Sequence, residues 1–141
     1  MLWNFQKQRK DANSVIVLRV CGLNHLRFSV IVAGDGRYFN AEAMQKIFRV
    51  LAGNGVKTIW VPKGGIMTTP AVSAAIRQYE GGKAQGGIVL TASHNPGGPG
   101  EDFGIKYNEA LGQPAGEDFT EAVSCCRCLC VDYAPMSQIF F

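Results

Sequence analysis

The sequence predicts an α/β domain with three layers, in which a mainly parallel, mixed sheet of about four strands carries helices on both faces. Three observations predict this fold class. Short runs of β-branched residues alternate with segments of helical periodicity, and glycines close most of these elements. The order strand, helix, strand, helix, strand implies crossover connections, which produce parallel strands. With 141 residues, 47% of them apolar, the chain is long enough for one domain with a core.

The first predicted strand and helix flank a short loop. Residues 27–34 (RFSVIVAG) are rich in β-branched residues and end at a glycine, which is typical of a buried strand. After the loop DGRYFN, Asn40 is a suitable N-cap for a helix that ends at Gly53 and Gly55. The predicted apolar face of this helix has the spacing i, i+3, i+4, i+7, and it consists of Met44, Ile47, Phe48 and Leu51.

The second strand and helix repeat this arrangement. Residues 57–62 (KTIWVP) read as a strand, and the segment GGIMTTP leads from it into a helix. Thr69 is the expected N-cap, with Pro70 at the first helical position. One face of this helix is predicted to carry Val72, Ile76 and Tyr79.

Three further elements complete the pattern. Residues 86–93 (GGIVLTAS) form a third predicted strand, and residues 104–108 (GIKYN) a short fourth strand that returns beside it. Residues 115–123 (AGEDFTEAV) predict a last helix with acidic residues in its first turn. On this plan, the loops GDGRYF, KGGIMTT and ASHNPGG meet at one crevice, because they follow strand ends that share an edge.

Charge is unevenly distributed along the chain. Residues 1–27 contain five of the 14 basic side chains and one of the 11 acidic ones, so the rest is close to neutral. A near-neutral body does not support a broad nucleic-acid-binding surface. Arg19, His25 and Arg27 interrupt the apolar stretch near the N-terminus, which disfavours a membrane span of about 20 residues and a secretory signal. The scarcity of acidic residues near the N-terminus fits a mitochondrial transit peptide, but such peptides are rich in serine and this segment is not. The cytoplasm is therefore the expected location.

The cysteines are concentrated near the C-terminus, in the segment SCCRCLCVDY at residues 124–133. A zinc site usually takes pairs of ligands from separated segments, and no second pair faces this one in the sequence. Cysteines this close together cannot link distant parts of a fold. Free thiols in an irregular tail are therefore the favoured interpretation, with a metal site as the alternative.

The loop that follows the third strand carries the residues best suited to phosphate chemistry. Ser93 needs a base or a phosphate-binding environment to act as a nucleophile, and His94 can exchange a proton near neutral pH. Lys106 lies on the returning segment, where its ammonium can approach a phosphate and offset its charge. The spacing supports a phosphate-handling loop, and a structural hairpin turn remains the alternative.

The backbone of this loop supports the same interpretation. Gly97 and Gly98 let backbone amides approach an anion. Pro96 restricts its own φ and pushes Asn95 towards an extended conformation, so the loop has less freedom to lose.

Several segments resemble one enzyme family. TASHNPGG followed by DFGIKYN closely resembles the active-site segment of the phosphoglucomutases, in the α-D-phosphohexomutase superfamily. VIVAGDGRYFNAEAMQKI, LAGNGV and GGIMTTPAVSAAIR resemble the first domain of that family in the same order. The resemblance runs over residues 30–108, with a weaker similarity to residue 123. GGPGEDFGIKYN looks more like a eukaryotic-type phosphoglucomutase than a phosphomannomutase.

The resemblance implies a function, site residues and cofactors. The family interconverts glucose 1-phosphate and glucose 6-phosphate through a phosphoserine and a bisphosphate intermediate, which makes Ser93 the expected phosphoserine. His94 is its expected neighbour in the active centre, and Lys106 the proton-transfer or charge-stabilising lysine. Mg²⁺ is expected on a phosphate oxygen of phosphorylated Ser93, with glucose 1,6-bisphosphate as activator. Asp35 and Arg37 are candidates for substrate or phosphate-loop contacts, with a simple capped turn as the alternative.

The sequence also departs from the family pattern. The magnesium loop DGDGD, the sugar-selecting loop GEES, the C-terminal phosphate-binding domain and a TSGLRK-type segment have no counterpart. We therefore expect a basic leader at residues 1–27, a domain resembling the first mutase domain at residues 28–123, and an unmatched tail at residues 124–141.

These departures affect the expected activity. A chain that lacks the remaining mutase domains is not expected to turn over by itself. The alternative functions are a non-catalytic phosphate-binding or regulatory fragment, and an interaction module that binds a partner through its basic start and cysteine tail.

Overall fold

The computed structural model describes residues 28–79 and 84–121, together with the backbone of residues 5–10 and 15–20. The strands in this part of the chain are β1 Phe5–Lys10, β2 Val15–Val20, β3 Ser29–Gly34, β4 Thr58–Val61, β5 Gly86–Leu90 and β6 Ile105–Glu109. The helices are α1 Asn40–Gly53 and α2 Thr69–Gln78, with a short 3-10 turn at Lys63–Gly65 and helical residues at 117–121. No helix among the described residues is both long and apolar enough to cross a membrane.

The sheet has the order β1-β2-β4-β3-β5-β6. The four predicted strands occupy one side of it as β4-β3-β5-β6, where β3 pairs parallel with β4 and β5, and β6 pairs antiparallel with β5. The α/β fold class with a mixed, mainly parallel arrangement of these four strands is therefore confirmed.

Two strands that the sequence analysis did not assign extend the sheet from β4. β2 pairs antiparallel with β4, so that Ile16 lies opposite Val61, and β1 pairs antiparallel with β2. Both strands lie in residues 1–27, which the sequence analysis considered only as a leader. The signal for β2 is the β-branched run VIVLRV, which has the composition of a strand but is interrupted by an arginine.

Alternating residues of β3 face the two helices. Val30 and Val32 belong to a core with α1, whereas Ile31 and Ala33 belong to a core with α2. Because successive side chains of a strand point to opposite faces, one buried strand supports both cores. This alternation makes the domain three-layered, as predicted.

The buried faces of both helices agree with the predicted periodicity. Met44 of α1 is buried, and Ile47, Phe48 and Leu51 pack against its cluster. On α2, Val72 and Ile76 are fully buried. Tyr79, directly after the last residue of α2, packs edge-on against Trp60 with 4.7 Å between the ring centroids.

The two predicted N-caps were each wrong by one residue. Helix α1 begins at Asn40 after Phe39, and the Asn40 side chain is buried against Gly34. The absent side chain of Gly34 leaves the space that the Asn40 amide fills, so this amide does not cap the helix. Helix α2 begins at Thr69, because the carbonyl of Thr68 accepts the first helical bond from the Val72 amide, 2.9 Å away.

The last predicted helix, at residues 115–123, begins two residues late, at residue 117. Residues 122 and 123, Cys21 and the cysteine-rich tail lie outside the described residues.

Candidate active site

The loops after β3 and β5 meet because these strands are parallel neighbours that end at the same edge of the sheet. The Asp35 amide donates to the Leu90 carbonyl at 3.0 Å, which joins the two loops at their bases. The Met67 amide donates to the Gly34 carbonyl at 2.9 Å and adds the loop before α2. Backbone contacts thus bring together the three loops that the sequence predicted to meet.

Ser93 lies in the loop after β5 with an unusual backbone conformation. Its φ is +58°, and no other described residue besides glycines has a positive φ. This left-handed region disfavours residues with a Cβ, at a cost on the order of 1–3 kcal/mol. The Ser93 amide donates to the hydroxyl of Thr91 at 2.9 Å, and Thr91 itself is buried. The buried Thr91 side chain therefore holds the backbone of the loop, while the Ser93 side chain is exposed.

Lys106 reaches Ser93 from the returning strand. Its ammonium donates to the Ser93 hydroxyl, with 2.7 Å between Nζ and Oγ. The antiparallel register of β6 places Lys106 opposite Val89, so its side chain projects at the end of β5 where the loop begins. A cation at this distance stabilises negative charge on the oxygen and can exchange a proton with it.

Arg37 and Asp35 form an ion pair beside this loop. The guanidinium Nη2 lies 2.7 Å from Asp35 Oδ2, and Nε lies 3.0 Å from both carboxylate oxygens. The hydrogen bond from Arg37 holds the pKa of Asp35 at about 2, below its ordinary value of 3.8, and a smaller effect of burial opposes the shift. A hydrogen bond from Thr91 lowers the pKa of Asp35 further. The carboxylate is therefore charged at physiological pH.

The remaining donors of Arg37 are directed at the loop that carries Ser93. The acceptors are four backbone carbonyls, at 3.4, 3.4, 3.4 and 2.6 Å, which belong to Ser93, Asn95, Pro96 and Asp102. Arg37 thus contacts the loop at its beginning, its middle and its end. Its side chain is only 7% exposed.

The other candidate residues of the loop are mostly exposed. His94 and Asn95 are exposed, and the Asn95 amide donates to the Ala92 carbonyl at 3.2 Å. Gly97 packs directly on Arg37, since a Cβ there would lie 2.8 Å from the Arg37 Cβ. Gly98 has more room, because its nearest neighbour would be the flexible Glu101 side chain at 3.1 Å.

The sequence analysis did not single out Asn108, which anchors the strand that carries Lys106. It is 2% exposed, and its amide Nδ2 donates at 3.0 Å to both the Ser73 hydroxyl and the Gly112 carbonyl. These bonds tie β6 to α2 and to the turn after β6. A polar residue two positions beyond Lys106, on the same face of a strand, was the available signal.

The described residues do not complete a magnesium site. Among them, no three His, Cys, Asp or Glu side chains are grouped as a metal would require. The Asp35 carboxylate already accepts hydrogen bonds from Arg37 at both of its oxygens.

The chain is similar to proteins of one family. The family profile described as phosphoglucomutase/phosphomannomutase, alpha/beta/alpha domain I, matches residues 9–126. The sequence is 54% identical over 98 residues to "Phosphoglucomutase, cytoplasmic" from Bromus inermis and 53% identical to the protein of that name from Populus tremula. Both matches cover 67% of this chain and 17% of the relative, so the chain spans about a sixth of their length.

A solved structure has a similar fold. The exocytosis-sensitive phosphoprotein pp63/parafusin of Paramecium, a phosphoglucomutase in its open form, superposes with a TM-score of 0.67 at 46% sequence identity. The match covers 71% of this chain and 18% of that chain. The similarity therefore concerns one domain-sized part of a much longer protein.

Proposed function

Since the chain belongs to the phosphoglucomutase/phosphomannomutase family, of which it contains the α/β/α domain I, we propose that it carries the phosphoserine of a phosphoglucomutase. The reaction is the interconversion of glucose 1-phosphate and glucose 6-phosphate through a bisphosphate intermediate. The observation that carries this proposal is the 2.7 Å contact between Lys106 Nζ and Ser93 Oγ at the end of β5.

In the proposed transfer, phosphorylated Ser93 gives its phosphoryl group to a hydroxyl of the sugar phosphate. The bond between phosphorus and Ser93 Oγ breaks, and a bond between phosphorus and the sugar oxygen forms. The sugar hydroxyl releases its proton to solvent as its oxygen bonds to phosphorus, while the Lys106 ammonium stabilises the charge that develops on Oγ and donates a proton to it. In the reverse step, with the reoriented bisphosphate, Ser93 returns its proton to Lys106 as the phosphoserine is restored, and the released sugar oxygen takes a proton from solvent.

The other loop residues have supporting roles in this proposal. His94 and Asn95 border the sugar phosphate from the exposed side of the loop, and the backbone at Gly97 and Gly98 approaches the phosphate. Mg²⁺ and glucose 1,6-bisphosphate are the cofactor and activator that the resemblance implies, but the described residues do not form a metal site by themselves. We further propose that the protein acts in the cytoplasm, as the names of its relatives support.

We propose that the 141-residue chain does not turn over without further domains, because its sequence lacks the magnesium and sugar-selecting loops that the resemblance implies. The function is therefore tested in a chimera, in which the matching 98 residues replace their counterpart in the Bromus inermis enzyme, 54% identical.

The chimera is expected to convert glucose 1-phosphate in a coupled assay, and Ser93→Ala is expected to abolish this activity. Thr58→Val serves as the control, because it removes a hydroxyl at the start of β4, whereas the loops of the candidate site follow the ends of strands. A folded Ser93→Ala chimera that keeps more than a trace of activity would contradict the proposal and favour a non-catalytic, phosphate-binding or regulatory role.

A further inference from the structure

All three nitrogens of the Arg37 guanidinium already donate to protein oxygens. Nε and Nη2 donate to Asp35, and Nη2 also donates to the Ser93 carbonyl. Nη1 donates to carbonyls in the middle and at the far end of the loop. The side chain is only 7% exposed. An arginine that binds a substrate phosphate needs free donors directed at solvent or at the ligand. Each guanidinium nitrogen of Arg37 instead donates to an oxygen of the protein.

The contacts of Arg37 tie together parts of the loop that are distant in sequence. Ser93 stands at the beginning of the loop, and Asp102 stands just before the strand that carries Lys106. A planar guanidinium can hold several carbonyls at fixed angles, whereas the single charge of a lysine cannot. Arg37 therefore sets both ends of the segment that brings Ser93 and Lys106 together.

The orientation of the carbonyls has a consequence for the amides. In a trans peptide the N–H points away from the C=O of the same unit. The carbonyls of Ser93, Pro96 and Asp102 that point at Arg37 therefore turn the following amides away from it, and these amides belong to His94, Gly97 and Phe103. None of these three amides makes a hydrogen bond within the part of the chain that the structure describes. The loop thus presents open N–H donors on the side opposite Arg37.

We propose that Arg37 is a positioning residue, which Asp35 holds in place and which shapes the loop so that open amides and Lys106 can receive the phosphate of Ser93. In this role Arg37 does not bind the substrate phosphate. The proposal rests on the proposed function of Ser93 and goes beyond it, because it assigns the Asp35–Arg37 pair to the shape of the loop.

Two further observations support this role. Gly97 passes so close to Arg37 that a Cβ would lie 2.8 Å from the Arg37 Cβ, so the loop is packed on the arginine as well as bonded to it. The carboxylate of Asp35 also stays charged far into the acidic range, since the Arg37 hydrogen bond lowers its pKa to about 2. The ion pair between Asp35 and Arg37 therefore persists at physiological pH.

The test uses amide hydrogen exchange on the complete 141-residue chain. The probes are the Asn95 and Glu101 amides, which donate within the loop at 3.2 Å to Ala92 and Gly98. Arg37→Lys and Asp35→Asn are expected to speed their exchange about tenfold or more, because several hydrogen bonds of the loop are lost. The Gly55 amide, which donates to the Ala52 carbonyl at 3.1 Å in the turn after α1, is the internal reference and should not change.

Arg77→Lys is the matched control. Arg77 also donates to a backbone carbonyl, that of Leu111 at 3.4 Å, but it lies on α2 away from the loop. The same substitution there is expected to leave the Asn95 and Glu101 amides unchanged.

A second measurement separates positioning from direct binding. Phosphoserine is incorporated at position 93 during synthesis. The second pKa of its phosphate, about 6 in free phosphoserine, is then measured by ³¹P NMR. A positioning role predicts that Arg37→Lys and Asp35→Asn both raise this pKa towards the free value, because the phosphate loses aligned amides. If Arg37 instead binds phosphate, Asp35→Asn frees the guanidinium and lowers the pKa without faster exchange.

That second result, or unchanged exchange in both variants, would overturn the inference. Neither measurement needs turnover, so the result is independent of whether the Ser93→Ala chimera loses activity.

Discussion

The ammonium of Lys106, on β6, donates a hydrogen bond to the hydroxyl of Ser93 in the loop after β5, with 2.7 Å between Nζ and Oγ. The contact depends on the antiparallel register in which Lys106 lies opposite Val89, at the end of the strand that leads into the loop. A slip of two residues would move Lys106 by roughly 6–7 Å and separate the two groups. The contact between Lys106 and Ser93 thus depends on the register of the sheet as well as on the conformation of the loop.

Lys106→Ala in the chimera is expected to slow turnover by about 10²–10⁴-fold, because a general acid and a stabilising charge are removed while the phosphoryl carrier remains. The measurement is the coupled-assay rate, together with a thermal melt to confirm folding. Lys57→Ala, at an exposed residue before β4, is the control and should retain the rate. A Lys106→Ala rate within about threefold of the parent would exclude Lys106 from the chemistry.

The complete 141-residue chain is expected to remain unphosphorylated at Ser93 when it is incubated with glucose 1,6-bisphosphate and Mg²⁺. The described residues provide a hydroxyl and an ammonium but no grouped metal ligands, and metal charge is a large part of the stabilisation in phosphoryl transfer. Intact-mass spectrometry measures the phosphate, and the chimera is the positive control. Stoichiometric phosphate on the 141-residue chain would contradict this prediction.

Acid should weaken the domain partly through Asp35. Its pKa is lowered from 3.8 to about 2 by the Arg37 hydrogen bond, so its contribution to stability is complete above about pH 5 and is lost as the pH falls to about 2. We expect the parent to be more stable than Asp35→Asn at pH 6 and this difference to shrink towards pH 2. Urea unfolding at several pH values measures it.

The carboxylate of Asp35 is 32% exposed, so solvent screens the pair and added salt should reduce the difference. Glu42→Gln is the comparison, because Glu42 pairs with Lys46 on an exposed helix face. Its pH-dependent difference should be smaller. An Asp35→Asn difference that does not depend on pH would contradict the assigned cause.

Much of the fold could be predicted from periodicity. The β-branched run before Gly34 and the apolar spacing on α1 and α2 encode which faces are buried, and these features do not depend on distant residues. The helix starts could not be predicted to the residue, because the position of Asn40 follows from the space beside Gly34, which only the folded strand creates. β1 and β2 were missed since charged residues weaken their pattern.

Some contacts of the candidate site could be predicted from the sequence and others could not. The spacing of Ser93 and Lys106 indicated that the two could meet, and the structure places them in contact. The contacts of Arg37 with the loop could not be predicted from the sequence, because its acceptors are backbone carbonyls, which every residue possesses. The left-handed conformation of Ser93 has no sequence signal either, since glycine is the residue that usually marks such positions.

Gly97→Ala and Gly98→Ala are expected to differ although the two glycines are adjacent. A Cβ at Gly97 would lie 2.8 Å from the Arg37 Cβ, and Arg37 cannot move without disturbing the hydrogen bonds of its guanidinium. A Cβ at Gly98 would meet only the flexible Glu101 side chain. Gly97→Ala should therefore destabilise the domain by about 1–3 kcal/mol, as overpacking does, and Gly98→Ala by less than about 1 kcal/mol. Urea unfolding measures both. Equal losses would show that the loop does not pack on Arg37.

Because the backbone of Ser93 is left-handed, glycine at this position should give a more stable protein than alanine. At φ +58° an alanine keeps the steric cost of a Cβ, whereas a glycine has none. Both variants lose the same hydroxyl, so Ser93→Gly should be more stable than Ser93→Ala by about 1 kcal/mol. The free energy of unfolding in urea measures the difference.

Ser29 provides the matched control, because it lies in the extended strand β3, where glycine costs about 0.5–1 kcal/mol relative to alanine. There the order should be reversed, with Ser29→Gly the less stable variant. If Ser93→Ala is as stable as Ser93→Gly while the Ser29 pair behaves as expected, Ser93 does not hold the left-handed conformation in solution. The geometry that brings its hydroxyl to Lys106 would then have to arise in another way.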